Sequence, residues 1–167
     1  MRPAAFLDRD GTLVEEVNYL ARPEQLRLIP GVPEALLRLR AAGYALVLVT
    51  NQAGVARGYF GLDDVTRVHE ALEAMLGLRF DGVYTCPHHP DFTGPCECRK
   101  PAPGLLLRAI AELGLDPARS FVVGDKRTDV LAGEPLGVRG YLVRTGHGAR
   151  EGGDWADLAA VTDAVLA

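Results

Sequence analysis

Two aspartates two residues apart close the first strand-like run of this chain, where Asp8-Arg9-Asp10-Gly11-Thr12 follows directly on Ala4-Ala5-Phe6-Leu7. In an extended segment residues i and i+2 point to the same side, and a glycine lets the backbone turn sharply, so both carboxylates can face one pocket. That pairing suits phosphoryl transfer: one carboxylate attacks to form an acyl phosphate, and the other exchanges protons with the leaving oxygen and then with water. Asp8, nearest the strand, is the better nucleophile, which makes Asp10 the acid and base. Three further signals follow in order: Thr50-Asn51-Gln52, Arg99-Lys100-Pro101, and Gly124-Asp125-Lys126 with Asp129 after it. Thr50 offers a hydroxyl donor and Lys100 a compact positive charge where charge develops in the transition state. Asp8, Asp125 and a backbone carbonyl are hard oxygen ligands for magnesium, the cation that would let two aspartates approach a phosphate. Singly, each piece has a bland explanation as a solvated turn, a helix cap or a common loop dipeptide. Four of them in sequence at four strand ends do not.

A second donor set lies between the second and third signals. Cys86-Pro87-His88-His89-Pro90 and Cys96-Glu97-Cys98 supply sulfur and imidazole ligands that suit tetrahedral zinc better than iron. These are the chain's only cysteines. An odd number crowded into one loop fits a metal site in a reducing compartment, not a disulfide framework. His88 and His89 compete for the fourth position of a closed, structural site. Because Cys98 directly precedes Arg99 and Lys100, zinc at residues 86–98 would order a Pro-rich segment, aiming Arg99 at a substrate and Lys100 at the reacting phosphate. His69, in a helical pattern, and His147, in a late loop, have no such company and read as surface histidines.

The elements that must position these groups alternate. Ala4–Leu7, Tyr44–Thr50, Gly82–Cys86, Ser120–Gly124 and Gly140–Arg144 read as strands, and Pro33–Ala42, Asp63–Leu76, Pro103–Leu113, Thr128–Ala132 and Asp154–Leu166 as helices. That order predicts an α/β fold, a Rossmann-like three-layer sandwich around a mostly parallel sheet of five or six strands, with its ligand at the carboxyl ends of the strands. The apolar stripes, Met75 and Leu105 to Leu107 included, read as core. At 167 residues the chain fits one domain. A formal charge of −4 and no basic run argue against nucleic acid as partner and for a small substrate. No apolar segment is long enough to cross a membrane, and Met1-Arg2-Pro3 leads into the first strand without a signal-peptide pattern, so a cytoplasmic monomer is expected.

With these motifs in place, the chain resembles the haloacid-dehalogenase-like superfamily, whose phosphatases carry Asp-x-Asp-Gly-Thr, a strand-end Thr or Ser, a Lys and a late Gly-Asp. The resemblance spans almost the whole sequence. It implies Asp8 as nucleophile, Asp10 as acid and base, Thr50 and Lys100 as phosphate stabilisers, and Asp8, Asp10 and Asp125 at the magnesium. The spacing from Asp10 to Thr50 and from Thr50 to Lys100 leaves no room for the large cap domain that many members insert. The stretch Thr50 to Gly58, the Cys-Pro-His-His-Pro loop and Cys-x-Cys-Arg-Lys-Pro are together similar to the D-glycero-D-manno-heptose 1,7-bisphosphate 7-phosphatase family. That similarity implies a phosphorylated sugar substrate and a zinc held by Cys86, His88, Cys96 and Cys98. It carries substrate contacts onto Glu16, Val17, Asn18, Tyr19, Asn51, Gln52, Ala53, Arg99 and Lys126. Glu16 stands where that family commonly has Asp, and Ala53 where it has Ser. Histidinol-phosphate phosphatase, which shares the zinc loop, is the alternative. A phosphoaccepting receiver domain, from another class, also uses Asp, magnesium, Thr and Lys, but has no use for Asp10 or for the cysteine loop.

Overall fold

The structure, a computed structural model, describes all residues from 1 to 167. Five strands, β1 (Ala4–Leu7), β2 (Ala45–Asn51), β3 (Gly82–Cys86), β4 (Phe121–Gly124) and β5 (Arg139–Leu142), form one all-parallel sheet in the order β3-β2-β1-β4-β5. Parallel neighbours need crossovers, and helices supply them: α1 (Val32–Ala41), α2 (Ala53–Ala56), α3 (Leu62–Leu76), α4 (Pro90–Thr93), α5 (Gly104–Leu113), α6 (Arg127–Gly133), α7 (Gly148–Glu151) and α8 (Leu158–Leu166). No cap domain interrupts the sequence of strands.

Both faces of the sheet are covered, which explains why β1 is a continuous apolar run instead of an alternating one. All four of its residues are buried, and the period of two divides them between two cores. Ala5 and Leu7 join Leu46, Leu48, Phe121 and Val123 beneath α1, α3 and α8. Ala4 and Phe6 join Val47, Val49 and Val122 beneath α5 and α6. Register then fixes the chemistry. Leu7 pairs with Leu48 on one side and Val123 on the other, so Asp8, Thr50 and Asp125 all emerge at the carboxyl edge of the three central strands.

The strands match the sequence reading to within two residues, β5 ending at Leu142 instead of Arg144, and the differences elsewhere have local causes. The last helix begins at Leu158, not Asp154, because Trp155 bridges to Val143 beside β5 and Asp157 caps the helix by accepting from the Ala160 N–H at 2.9 Å. Met75 and Leu107 are exposed, each on the solvent side of an otherwise buried stripe. The short helices α2, α4 and α7 have too few turns to show a period. No helix is long and apolar enough to cross a membrane.

Candidate active site

Asp8 lies at the end of the central strand with Lys100 against it. The Lys100 ammonium, itself buried, donates to Asp8 Oδ1 at 2.9 Å and to the Val49 carbonyl at 2.8 Å, and it pairs with Asp129 Oδ1 at 2.6 Å. Two carboxylates thereby hold its pKa above the ordinary lysine value against the opposing effect of burial. Asp129 is in turn fixed by its own helix start, where its Oδ2 accepts from the Lys126 N–H at 3.1 Å. Asn51 clamps the Lys100 backbone from both sides, its Oδ1 accepting from the Lys100 N–H at 3.0 Å and its Nδ2 donating to the Lys100 carbonyl at 3.2 Å.

Asp10 has different surroundings. Its carboxylate faces the Arg9 guanidinium, with Nε 3.2 Å from both oxygens and Nη2 3.0 Å from Oδ2. Gln52 Nε2 donates to the same Oδ2 at 3.1 Å and to Thr50 Oγ1 at 2.8 Å. The two acids of one strand end are therefore held by separate cations. Gly11 makes the turn between them and the rest of the site: its φ is +82°, and a Cβ there would run into the Asp125 carboxylate and the Gly146 backbone. Asp125 is held from the late loop by the His147 N–H at 2.9 Å, and Thr145 Oγ1 donates to the Gly11 carbonyl at 2.6 Å.

Charge at this edge is out of balance. Asp8, Asp125 and Asp129 bring one carboxylate oxygen each to within 4.8 Å of one another, all three residues being buried. Lys100 is the one cation among them. Burial, then Asp129, pushes the Asp8 carboxyl well above its usual range despite Lys100, and burial likewise raises Asp125. A divalent cation bound by hard oxygens would relieve both, so the donor set fits magnesium. The Asp10 carboxylate stands outside this cluster, turned to Arg9 and Gln52, which leaves its main-chain oxygen as the group it could offer.

Above these acids lies a cavity of about 440 Å³, lined by Glu16, Asn18, Tyr19, Asn51, Gln52, Ala53, Arg99 and Lys126 among others. Val17 does not join them. It is half-buried and packs against the core on the α1 side, while the chain bends at 18–19, where Tyr19 has a φ of +59°. Thr50 is buried beneath the cavity and faces Gln52. Arg57, His89 and His147 also line the cavity. Arg57, set between the rings of Phe92 (4.9 Å) and Tyr19 (5.7 Å), is reached only through two loops far apart in sequence. His147 enters with the Asp125 contact, its Nε2 3.8 Å from Glu16 Oε2. His89 caps α4, its Nδ1 accepting from the Asp91 N–H at 3.1 Å.

His69 is not a surface residue. It is buried, with Nε2 3.2 Å from Arg9 Nη1, and burial together with the Arg9 charge lowers its pKa to about 4. A signal for this was present: His69 stands four residues after Val65 and three before Leu72, on the stripe that α3 buries.

Beside the cavity, Cys86, His88, Cys96 and Cys98 converge. His88 Nδ1 is 3.3 Å from Cys98 Sγ and 3.8 Å from Cys86 Sγ, while Cys96 Sγ is 3.7 Å from both other sulfurs. Those separations are near the edges of a tetrahedron built from zinc bonds of about 2.3 Å to sulfur and about 2.0 Å to nitrogen. Cys98 and Cys86 are closer, at 2.6 Å, and remain free thiols. Backbone N–H groups of Arg99 and Cys98 bring Cys96 down to about 7 against the effect of its burial, which favours the ligating thiolate. The donor set fits a structural zinc. Arg99 leaves this loop with Nη1 3.4 Å from the His88 carbonyl, and Lys100 follows directly.

Comparison with known proteins adds a second line of evidence. A family model described as HAD-hydrolase-like matches residues 97–166. A D-glycero-beta-D-manno-heptose-1,7-bisphosphate 7-phosphatase from Pasteurella multocida is 48% identical over 161 residues, covering 92% of this chain and 88% of the relative. The chain belongs to this heptose-bisphosphate phosphatase family. A second member, from Haemophilus ducreyi, is 45% identical over 92% of its own length. Among solved structures, the D,D-heptose 1,7-bisphosphate phosphatase of B. bronchiseptica, complexed with magnesium and phosphate, superposes with a TM-score of 0.89 at 33% identity over 98% of both chains. As a member of the family, the chain is a phosphoric monoester hydrolase of the HAD type.

Proposed function

We propose that this enzyme removes the 7-phosphate of D-glycero-D-manno-heptose 1,7-bisphosphate through an aspartyl phosphate on Asp8, in the supply of nucleotide-activated heptose. The observation that carries the mechanism is the split between the two acids of β1: Asp8 on Lys100, Asp10 on Arg9 and Gln52. Lys100 fixes one Asp8 oxygen, and the other attacks phosphorus. As the phosphorus–oxygen bond to the sugar breaks, its electron pair passes to the sugar oxygen, which takes a proton from Asp10. Asp10 then draws a proton from water, whose oxygen attacks the same phosphorus and returns Asp8 as a carboxylate. Thr50 and Lys100 stabilise the phosphoryl oxygens as charge builds on them. Asp8, Asp125 and the Asp10 main-chain oxygen would hold magnesium, which when bound would neutralise the cluster and polarise the phosphoryl group.

The substrate reading rests on the family and on the cavity. A bisphosphate brings a second dianion, and Arg99 and Lys126 line the cavity and can receive it. Glu16, Asn18, Tyr19, Asn51, Gln52 and Ala53 offer polar contacts and shape for the sugar. Zinc on Cys86, His88, Cys96 and Cys98 would hold Arg99 and Lys100 in place. The Pasteurella relative's name specifies the β anomer, which we take as the substrate form here. Phosphate release with both heptose bisphosphate anomers, histidinol phosphate and fructose bisphosphate tests the assignment, with Asp8→Asn as control. The highest kcat/KM is expected on the β-heptose bisphosphate. Preference for histidinol phosphate would overturn the substrate assignment, and undiminished turnover by Asp8→Asn the mechanism.

A further inference from the structure

Arg9 sits between the two aspartates yet turns away from the cavity, with its side chain 1% exposed. Its Nε donates to both Asp10 carboxylate oxygens at 3.2 Å, and Nη2 lies 3.0 Å from Oδ2 as an ion pair without a hydrogen bond, so the two nitrogens fork onto that carboxylate. The remaining arm, Nη1, points the other way and lies 3.2 Å from Nε2 of His69. A guanidinium has donors only, so this contact requires His69 Nε2 as the acceptor and places the imidazole proton on Nδ1. The lowered pKa of His69 keeps the ring neutral, in agreement with that role.

The contact joins two elements that differ in stiffness. Arg9 belongs to the turn leaving β1, whereas His69 is on the longest helix, α3, whose neighbouring residues Val65, Val68 and Leu72 are locked into the core. A planar guanidinium held at one arm by a fixed acceptor cannot rotate, so its other two nitrogens keep their direction. A buried donor deprived of its acceptor would instead turn toward whatever acceptor remained, and the fork on Asp10 would turn with it.

We propose that His69 is a positioning residue for the acid–base step. By accepting from Arg9 Nη1 it fixes the guanidinium fork, and through the fork it aims the Asp10 carboxyl at the oxygen between the sugar and the transferring phosphorus. This rests on the reading of Asp10 as the acid. His69 exchanges no proton: in the first half the proton moves from Asp10 to the sugar oxygen as the phosphorus–oxygen bond breaks, and in the second it moves from water to Asp10.

The test compares two leaving groups. A sugar alkoxide needs a proton to depart and p-nitrophenolate does not, and kcat/KM reports the steps up to formation of the phosphoenzyme. The ratio of kcat/KM on heptose bisphosphate to that on p-nitrophenyl phosphate is measured for the parent enzyme, Asp10→Asn, His69→Leu, His69→Ala and His69→Gln. Asp10→Asn should lower the ratio at least about 100-fold, the usual contribution of a general acid. His69→Leu removes the acceptor, and His69→Ala leaves room for water around Nη1 should leucine prevent folding. Each should lower the ratio about 10-fold or more, with KM for the sugar little changed, as expected for a displaced general acid. His69→Gln, whose Oε1 can accept from Arg9, should restore the ratio to within about threefold of the parent. Equal losses on both substrates in His69→Leu and His69→Ala, with the Asp10→Asn ratio lowered as expected, would overturn the role of His69 alone. An unaltered ratio in Asp10→Asn would overturn the assignment of Asp10, and this proposal with it.

Discussion

Acid sensitivity of the folded state provides a sharp test of the buried histidine. In the folded protein the His69 pKa falls from 6.5 to about 4, burial being the main cause and the Arg9 charge the second, with Asp10 opposing. The unfolded chain therefore takes up this proton first as pH falls. Stability from keeping His69 neutral is fully present above pH 6.5, declines between there and about 4, and is gone below. At about 1.4 kcal/mol for each tenfold change, the whole effect is about 3 kcal/mol, a large part of the roughly 5–15 kcal/mol that holds a domain folded. His69→Gln keeps the acceptor and cannot titrate, so it should escape this loss. Urea unfolding of both proteins at half-unit steps from pH 7.5 to 4 gives the difference directly. Acid-sensitive groups common to both, among them the raised Asp8 and Asp125 carboxyls and the cysteine loop, largely cancel in the subtraction. The parent should lose about 3 kcal/mol more than the variant across that range. Parallel stability curves would show that the imidazole stays wet or already charged, and would refute both the burial argument and the assigned tautomer.

Other perturbations probe the metal, the turn and the specificity groups. Removing zinc with a chelator and restoring excess magnesium should lower turnover at least about tenfold, recovered on adding zinc, since ligand-orienting shells are typically worth that much or more; full activity in demonstrably zinc-free protein would uncouple the loop from Lys100. Gly11→Ala forces a Cβ onto the Asp125 carboxylate at a φ of +82°, a conformation that costs about 1–2 kcal/mol by itself. Magnesium titrations of its activity should show roughly tenfold weaker activation, and an unshifted midpoint would place the cation away from Asp125. Arg99→Ala should cost heptose bisphosphate about 10- to 100-fold in kcat/KM, the worth of a charged hydrogen bond, while sparing an aryl phosphate. Equal losses would remove Arg99 from specificity.

What could be read in the chain before folding was whatever repeats locally. The buried runs of β1, β2 and β4 announce themselves by composition, and glycines at the ends of α3 and α5 mark real left-handed caps, Gly77 at φ +68° and Gly114 at +63°. Strand-end placement of Asp8, Thr50 and Asp125 follows from that pattern alone, because parallel sheets present one edge to ligands. Pairings between distant segments were not legible. Nothing near Lys100 says that it will meet Asp129 as well as Asp8, nor does the segment after Arg144 say that its backbone will hold Asp125. Val17 was carried along with its neighbours by resemblance, and the bend of the chain at 18–19 leaves it half-buried against the core instead. His69 is a different kind of miss: the helical period placed it on the buried stripe, but its polarity argued for the surface, and only the partner from β1 resolves the conflict.

The position of β1 in the sheet has a consequence for how the protein breathes. With β2 on one side and β4 on the other, the strand that carries the nucleophile exposes no edge, and its amides can exchange with solvent only when the sheet itself comes apart. The 16–19 loop and the cysteine segment hang from the periphery and can open in smaller steps. Hydrogen exchange should therefore rank the molecule from the inside out, with Phe6 and Leu7 the slowest. Partial opening would then cost selectivity for the sugar before it cost the capacity to cleave a phosphate ester.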